Sequence, residues 1–239
     1  MRSTEEIYIS AILSLHLSYR CINELVFIEG KNRSRHEREA HRKVMLDWLE
    51  QTHYFDLYTE AEMKIYKTKI GFRKNNAILN EYYVYETVEP LLWSIGLVDK
   101  LTAPWKFCED AFDDTIIVGI DHCLDSVLAQ CKPKELAEIE LQRDMAMLWH
   151  WRAIEGDGIP AKCDVKRSLQ EIFGDGIQLA LERIPFSKGA YPDFLAGKKV
   201  FRNLDSDTME SIRILSRWRQ HAYEWILGDD VWDEVETNT

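Results

Sequence analysis

The chain has 239 residues, of which 46% are apolar, and its formal net charge is −11 at pH 7. This composition excludes a disordered chain, and the length allows one large domain or two small ones. Because an acidic surface repels phosphate backbones, we expect no nucleic-acid partner.

Three features of the sequence indicate in which cellular compartment the protein is found. The five cysteines are odd in number and no two of them stand in C-x-x-C spacing, which favours reduced thiols over a disulfide framework. Residues 1–6 lack the basic and then apolar pattern of a signal peptide. The longest apolar runs, 91–98 and 116–120, are far shorter than the ~20 residues of a membrane-spanning helix. We therefore expect a cytoplasmic protein with no membrane partner.

Capping boxes predict where four helices begin. In this motif the side chain of the cap residue accepts a hydrogen bond from the third helical amide, and the glutamate at that position bonds back to the cap amide. Each predicted cap residue stands three residues before a glutamate and precedes an apolar run of helical period. The cap residues are Ser3, Ser34, Thr59 and Asp207. The last of these helices is predicted to stop at Gly228.

Proline residues shape the middle of the chain. A helix is predicted over 76–95, but Pro90 inside it lacks an amide and clashes with the carbonyl of Glu86, so this helix must be kinked or split. Pro133 fits the first turn of a long helix from Lys134 to about Glu155. The other predicted elements are short helices over 165–173 and 177–183, an ordered loop over 184–204, and an ambiguous segment over 103–131 that has a short strand at 115–120 and a helical turn or two at 121–130.

These helix signals predict an all-α or mainly α fold. We expect a single domain over residues 1–239, built as an irregular bundle of about eight helices with at most a minor β-hairpin. Residues 229–239 are predicted to form a polar C-terminal tail with Trp232 as its one anchor.

The sequence contains no familiar catalytic or cofactor motif. It has no nucleophile elbow, no P-loop and no dinucleotide-binding glycine pattern. His36 and His41 resemble a zinc-protease motif, but residues five apart on a helix point about 140° apart and cannot share one metal ion. His150 lies between two tryptophans, which favours packing over catalysis. We therefore expect no metal and no cofactor.

Charged side chains on helix faces are the candidates for a functional site. Arg152, four residues after Leu148, lies on an apolar stripe, and a buried guanidinium is costly unless it is paired. Glu81 is placed on the stripe of the 76–95 helix, and Arg219 lies at the border of the apolar face of the last helix. We predict that both arginines bond acidic side chains or backbone carbonyls, with Glu86 the leading candidate for one of them. Structural ion pairs are the favoured interpretation, and a polar pocket is the functional alternative.

Motifs spread along the chain resemble those of one known family. They are R-S-T-E-E-I at 2–7, L-L-W-S-I-G-L-V-D at 91–99, L-W-H-W-R-A at 148–153, Y-P-D-F at 191–194, R-Q-H-A-Y-E-W-I-L-G at 219–228 and W-D-E-V-E-T-N-T at 232–239. This pattern is similar to that of the bacterial family called domain of unknown function 4272, and the C-terminal motifs are the most specific. The resemblance implies a bacterial intracellular protein with no assigned activity.

Two residues depart from the pattern of that family. Gln220 stands where the family usually has histidine, and Glu224 stands where it usually has asparagine. If the histidine and asparagine of the family formed an active site, this chain would lack it.

Two classes of function are compatible with these features. The first is a non-catalytic binding or regulatory module, because catalytic motifs are missing and the surface is acidic. The alternative is a hydrolase-like enzyme that acts on small molecules, with Glu86, Arg152 and Arg219 around a pocket. The sequence names no ligand, and a protein partner or a homo-oligomer is compatible with it.

Overall fold

The computed structural model describes residues 1–28, 34–108 and 124–237, and the chain is mainly helical. The sheet in these residues is a two-stranded antiparallel hairpin. The predicted fold class is therefore confirmed. The strand predicted at 115–120 lies outside the described residues. No helix in the described part of the chain is both long and apolar enough to cross a membrane.

The α-helices follow one another along the chain, with short 3₁₀ turns between several of them. They are α1 (Thr4–Ile28), α2 (Arg35–Gln51), α3 (Glu60–Lys67), α4 (Asn75–Tyr82), α5 (Val88–Ser94), α6 (Leu124–Leu128), α7 (Leu136–Glu155), α8 (Val165–Phe173), α9 (Gln178–Arg183) and α10 (Ser206–Leu227). The hairpin strands are β1 (Leu195–Ala196) and β2 (Lys199–Val200). The 3₁₀ turns span Tyr54–Leu57, Tyr83–Thr87, Gly156–Gly158, Gly174–Ile177, Phe201–Asn203 and Trp232–Glu234.

The chain divides into two compact units, which are described one at a time below. The N-terminal unit consists of Ser3–Asp99 and Glu109–Lys132. The C-terminal unit consists of Met1–Arg2, Lys100–Cys108 and Pro133–Thr239. The expectation of one domain over the whole chain stays a prediction.

Three of the four predicted capping boxes are formed. The amide of Ser3 donates to Glu6 Oε2 at 2.8 Å, and the amide of Glu6 donates to Ser3 Oγ at 3.2 Å. The boxes at Ser34 and Thr59 make the same reciprocal pair of bonds at the starts of α2 and α3. Local sequence is therefore enough to define these three helix starts.

The fourth predicted box, at Asp207, is wrong by two residues. The N-cap of α10 is Asp205, whose carboxylate accepts a hydrogen bond from the Thr208 amide at 2.8 Å. The Thr208 hydroxyl binds the same carboxylate. Glu210, the predicted box partner, instead pairs with Arg213 on the exposed side of the helix. An aspartate that can cap two residues earlier therefore extends the helix at its N-terminus.

The helix predicted over 76–95 is split, as Pro90 requires. α4 ends at Tyr82, a 3₁₀ turn follows, and α5 begins at Val88. Pro90 consequently stands in the first turn of α5, where amide groups have no acceptor inside the helix. The prediction of a kinked or split helix is confirmed.

The C-terminus of α5 is closed by a glycine in the left-handed region. Gly96 has φ +76°, its amide donates to Trp93 O, and the next amide, of Leu97, donates to Leu92 O, both at 3.0 Å. This is the Schellman pattern, which satisfies carbonyls that the helix leaves open. A Cβ added to Gly96 would lie 2.2 Å from the Lys132 carbonyl oxygen. Both the backbone angle and the close approach therefore require glycine here.

The helices α7, α8 and α9 differ from their predicted bounds by at most two residues at their starts. α7 begins at Leu136, two residues later than predicted, with Glu135 as the cap residue. α8 has the predicted bounds, and α9 begins one residue later than predicted. The segment predicted as an ordered loop contains the hairpin. Gly197, with φ +66°, is the first of its two turn residues, as in a type II′ turn.

In the N-terminal unit the long helix α1 packs against α2, α4 and α5. A buried ion pair lies on α1, with Arg20 Nη1 2.8 Å from Glu24 Oε2. Arg20 also donates to the carbonyl of Thr68, and Glu24 accepts a bond from the amide of Gly71 at 2.9 Å. These bonds attach the segment after α3 to α1.

In the C-terminal unit α7 and α10 pack together along their length. Trp149 of α7 is fully buried, and its ring meets the edge of Phe194 at a centroid distance of 4.9 Å. Trp105 and Phe201 pack on the same indole. The core of this unit is therefore built around one tryptophan of α7.

His16 and Trp48 join α1 to α2 by stacking. Their ring centroids are 4.3 Å apart and the planes are nearly parallel. His16 is 6% exposed, and its Nδ1 is buried without a hydrogen-bond partner among the described residues. Burial, and after it the charge of His41, lowers the pKa of His16 to about 4. The folded state therefore favours the neutral imidazole.

We predict that Gly96→Ala lowers the free energy of unfolding by more than about 2 kcal/mol. Left-handed strain alone costs about 1–2 kcal/mol, and the Lys132 carbonyl must also move. Gly158→Ala is the control, because Gly158 does not have a left-handed φ and the nearest atom to an added Cβ is 4.0 Å away. Urea denaturation of both variants checks this. A loss for Gly96→Ala no larger than that for Gly158→Ala would contradict it.

We predict that His16 makes stability fall as pH drops from 6.5 to about 4. In that window the unfolded chain binds a proton that folded His16 does not, so the free energy of unfolding falls by up to about 3 kcal/mol. His16→Phe keeps the stacked ring and should make this part of the pH profile less steep, while the share of His221, whose pKa is also lowered to about 4, remains. His36→Gln, a change at an exposed histidine, should leave the profile unchanged. Parallel pH profiles for the native chain and His16→Phe would be the contrary result.

Candidate functional site

Arg152 is buried in the C-terminal unit and is engaged by a carboxylate. It stands on α7 and is 1% exposed. Its Nε and Nη2 donate to the two carboxylate oxygens of Asp193 at 2.8 and 2.9 Å. Nη1 donates to the carbonyl of Gly156, and the guanidinium lies 4.3 Å above the ring of Phe201. This geometry is that of a bidentate ion pair inside the fold.

Asp193 is the centre of a larger network. Its carboxylate also accepts bonds from the Phe194 amide at 2.8 Å and from the amide and Nε of Arg202. Burial by itself raises the pKa of Asp193, but the bonds and charge of Arg152, with those of Phe194 and Arg202, outweigh burial and hold the pKa below its usual value. The sequence required a partner for Arg152 but could not identify Asp193, which is 41 residues away.

Arg219 lies on α10 and binds backbone carbonyls. Its guanidinium donates to the carbonyls of Thr102, Ala103 and Lys106 at 3.3, 3.1 and 2.6 Å. It also contacts the Sγ of Cys108 at 3.1 Å. The described contacts of Arg219 therefore attach the segment 102–108 to the last helix.

The two candidate glutamates belong to the N-terminal unit. Glu86 is 1% exposed and lies in the 3₁₀ turn before α5. The carboxylate partner of Arg152 is Asp193, and the pairing of Glu86 with Arg219 stays a prediction. The placement of Glu81 in the apolar stripe is wrong, because its side chain is 37% exposed and pairs with Arg73. The helix break after Tyr82 interrupts the stripe that the sequence appeared to continue.

A chain of polar side chains links α7 to α10. His150 is 3% exposed, and its Nδ1 donates to Gln220 Oε1 at 3.0 Å. Glu224 stands one helical turn after Gln220 on α10, and the Gln220 amide acts to lower the pKa of its carboxyl. Burial lowers the pKa of His150 and raises that of Glu224.

Glu224 lines an open cleft of about 520 Å³ at the C-terminal end of α10. One wall comes from α7 and α10, and the other comes from the segment that follows α10. The lining residues are Arg143, Glu224, Leu227, Gly228, Asp230, Glu234, Val235 and Glu236. The lining therefore includes four acidic residues and one arginine, and the guanidinium of that arginine is bonded to Asp144 at 2.9 Å. The partial negative charge of a helix C-terminus lies at the same place.

Metal ligands do not cluster in the described part of the chain. No three of its histidine, cysteine, aspartate or glutamate side chains stand close enough together to hold a metal ion. The adjacent pair His122 and Cys123, which the sequence offers only as a weak metal-site candidate, lies outside the described residues.

A family model described as Domain of unknown function (DUF4272) matches residues 2–166. The chain belongs to this family. The match confirms the resemblance and includes Glu86 and Arg152, whereas Arg219 and most of the cleft lie beyond it. No curated protein matches the chain, and no solved structure matches it. The family description assigns no activity.

We predict that Arg152→Met and Asp193→Asn each lower the free energy of unfolding by about 3–5 kcal/mol, because each leaves a buried charged group without its partner. The double variant should lose less than the sum of the two. Arg167→Gln, which breaks the exposed pair with Glu171, should leave the melting temperature unchanged. Calorimetry of the four variants checks this, and an unchanged melting temperature for Arg152→Met would show that the pair does not hold the fold.

Proposed function

We propose that this protein is a non-catalytic cytoplasmic binding module whose cleft takes a ligand with an ammonium or guanidinium group. The observation that carries the proposal is the lining of the cleft, in which carboxylates outnumber cations and surround the end of a helix. Such a site attracts a positive charge through its acidic side chains. The ligand is a small amine or a basic side chain of a protein partner.

Glu224 is the carboxylate best placed to bind the cation. It is half-buried, and it lines the wall of the cleft that α10 forms. A charge pair formed away from bulk water is stronger than one on an open surface. Leu227 and Val235 add apolar surface for the methylene groups of an amine ligand.

Binding is favoured over catalysis by the state of the polar side chains. Arg152 would have to break its bonds to Asp193 in order to hold an anionic substrate. His150 is buried and is bonded to an amide rather than to a carboxylate that would activate it as a base. These contacts support a binding role over the hydrolase-like alternative around Glu86, Arg152 and Arg219.

We expect spermidine to bind the chain at physiological ionic strength and Glu224→Gln to weaken binding by about five- to tenfold, since a fully formed charge pair is worth about 1 kcal/mol or more. Asp207→Asn is the matched control, because it removes one charge from an exposed position on the same helix outside the cleft. Titration calorimetry measures the affinities, with succinate as the anionic control. No binding of spermidine, or equal weakening by the two variants, would contradict the proposal.

A further inference from the structure

The segment after α10, residues 229–237, forms one wall of the cleft. Asp230, Glu234, Val235 and Glu236 all line the cleft from this side. The segment contains one 3₁₀ turn, closed by a bond from the Glu234 amide to the Val231 carbonyl at 2.9 Å. Most of its side chains are exposed. A wall of this kind opens locally at a lower free energy than a helix does.

Trp232 docks the segment on α10. Its indole meets the ring of His221 at a centroid distance of 4.6 Å and the ring of Trp225 at 5.3 Å, edge to face in both cases. His221 and Trp225 are four residues apart and so share one face of the helix. Aromatic pairs of this geometry are individually modest in energy.

Arg2 fixes the other end of the segment. Its guanidinium donates to the carbonyl of Asp230 and to that of Trp225, and it lies 5.0 Å from the Trp225 ring. Its amide donates to the carbonyl of Ile226 at 3.0 Å. A cation thus caps the C-terminus of α10 and holds the first residues after it. The contacts of Arg2 therefore hold the segment at Asp230, whereas the residues after Asp230 are not held by Arg2.

Docking of Trp232 is opposed by the burial of a polar atom of His221. The Nε2 of this ring is buried and has no hydrogen-bond partner among the described residues. Burial, and after it the charge of Arg217, lowers the pKa of His221 to about 4. A buried polar atom without a partner destabilises the closed form, and solvent would satisfy it when Trp232 leaves. The aromatic contacts are thus opposed by a desolvated imidazole.

We infer that residues 229–237 are a strap that closes over the cleft, with Trp232 as the residue that docks it and Asp230, held by Arg2, as its fixed start. The strap admits the ligand when Trp232 leaves its place on His221 and Trp225, and it encloses the ligand when Trp232 returns. Its role as a gate rests on the proposed function, whereas its docking does not.

Hydrogen exchange of the full chain tests the strap without any ligand. In Trp232→Ala the amides of residues 231–237 should exchange at least about tenfold faster than in the native chain, while those of α10 stay unchanged. Trp232→Phe should restore much of the protection. Val231→Ala is the matched control, because Val231 is in the strap but is 59% exposed. It should have no effect.

Three results would overturn the inference. The strap amides of the native chain could exchange as fast as those of an unfolded peptide, their rates could be the same in Trp232→Ala, or faster exchange could spread through α10. Added spermidine should slow exchange in the strap of the native chain. If the strap is docked but spermidine does not slow its exchange, the gating role is refuted. Calorimetric titration of the native chain with spermidine then shows separately whether the proposed ligand class is also wrong.

Discussion

The buried carboxylate of Asp193 is the constraint on which the C-terminal unit depends. It accepts bonds from Arg152 on α7, from the backbone at Phe194, and from Arg202 beyond the hairpin. Arg202 in turn binds the carbonyls of Cys163 and Tyr191. One buried carboxylate therefore connects α7, the hairpin and the segment before α8. The packing of α7 on α10 in turn positions Glu224 at the cleft.

The N-terminal unit uses the same chemistry at a different place. Glu24 on α1 is fully buried, pairs with Arg20, and accepts the amide of Gly71. Arg42 on α2 donates to the carbonyl of Tyr66, so cations from two helices bind the segment around Gly71. In both units a buried acid is stabilised by an arginine and by backbone amides, which together offset the cost of its desolvation.

Sequence reasoning succeeded where the determinants are local and failed where they are distant. The caps at Ser34 and Thr59 and the split at Pro90 depend on neighbours within a few residues. The cap at Asp207 failed because Asp205, two residues earlier, offered an equally local alternative. The need of Arg152 for a carboxylate was predictable, but the choice of Asp193 depends on how a distant loop folds back. The cleft was not predictable, because its two walls meet only in three dimensions.

The contacts of Arg219 carry a consequence for the order in which the chain folds. They join residues 117, 116 and 113 positions apart, so forming them closes a loop of more than a hundred residues. The entropy lost in closing such a loop is recovered only when α10 is already in place. We therefore expect the segment 102–108 to join its unit late in folding, after the local helices have formed. Its carbonyls can be hydrogen-bonded by Arg219 only once that distant residue has been brought close.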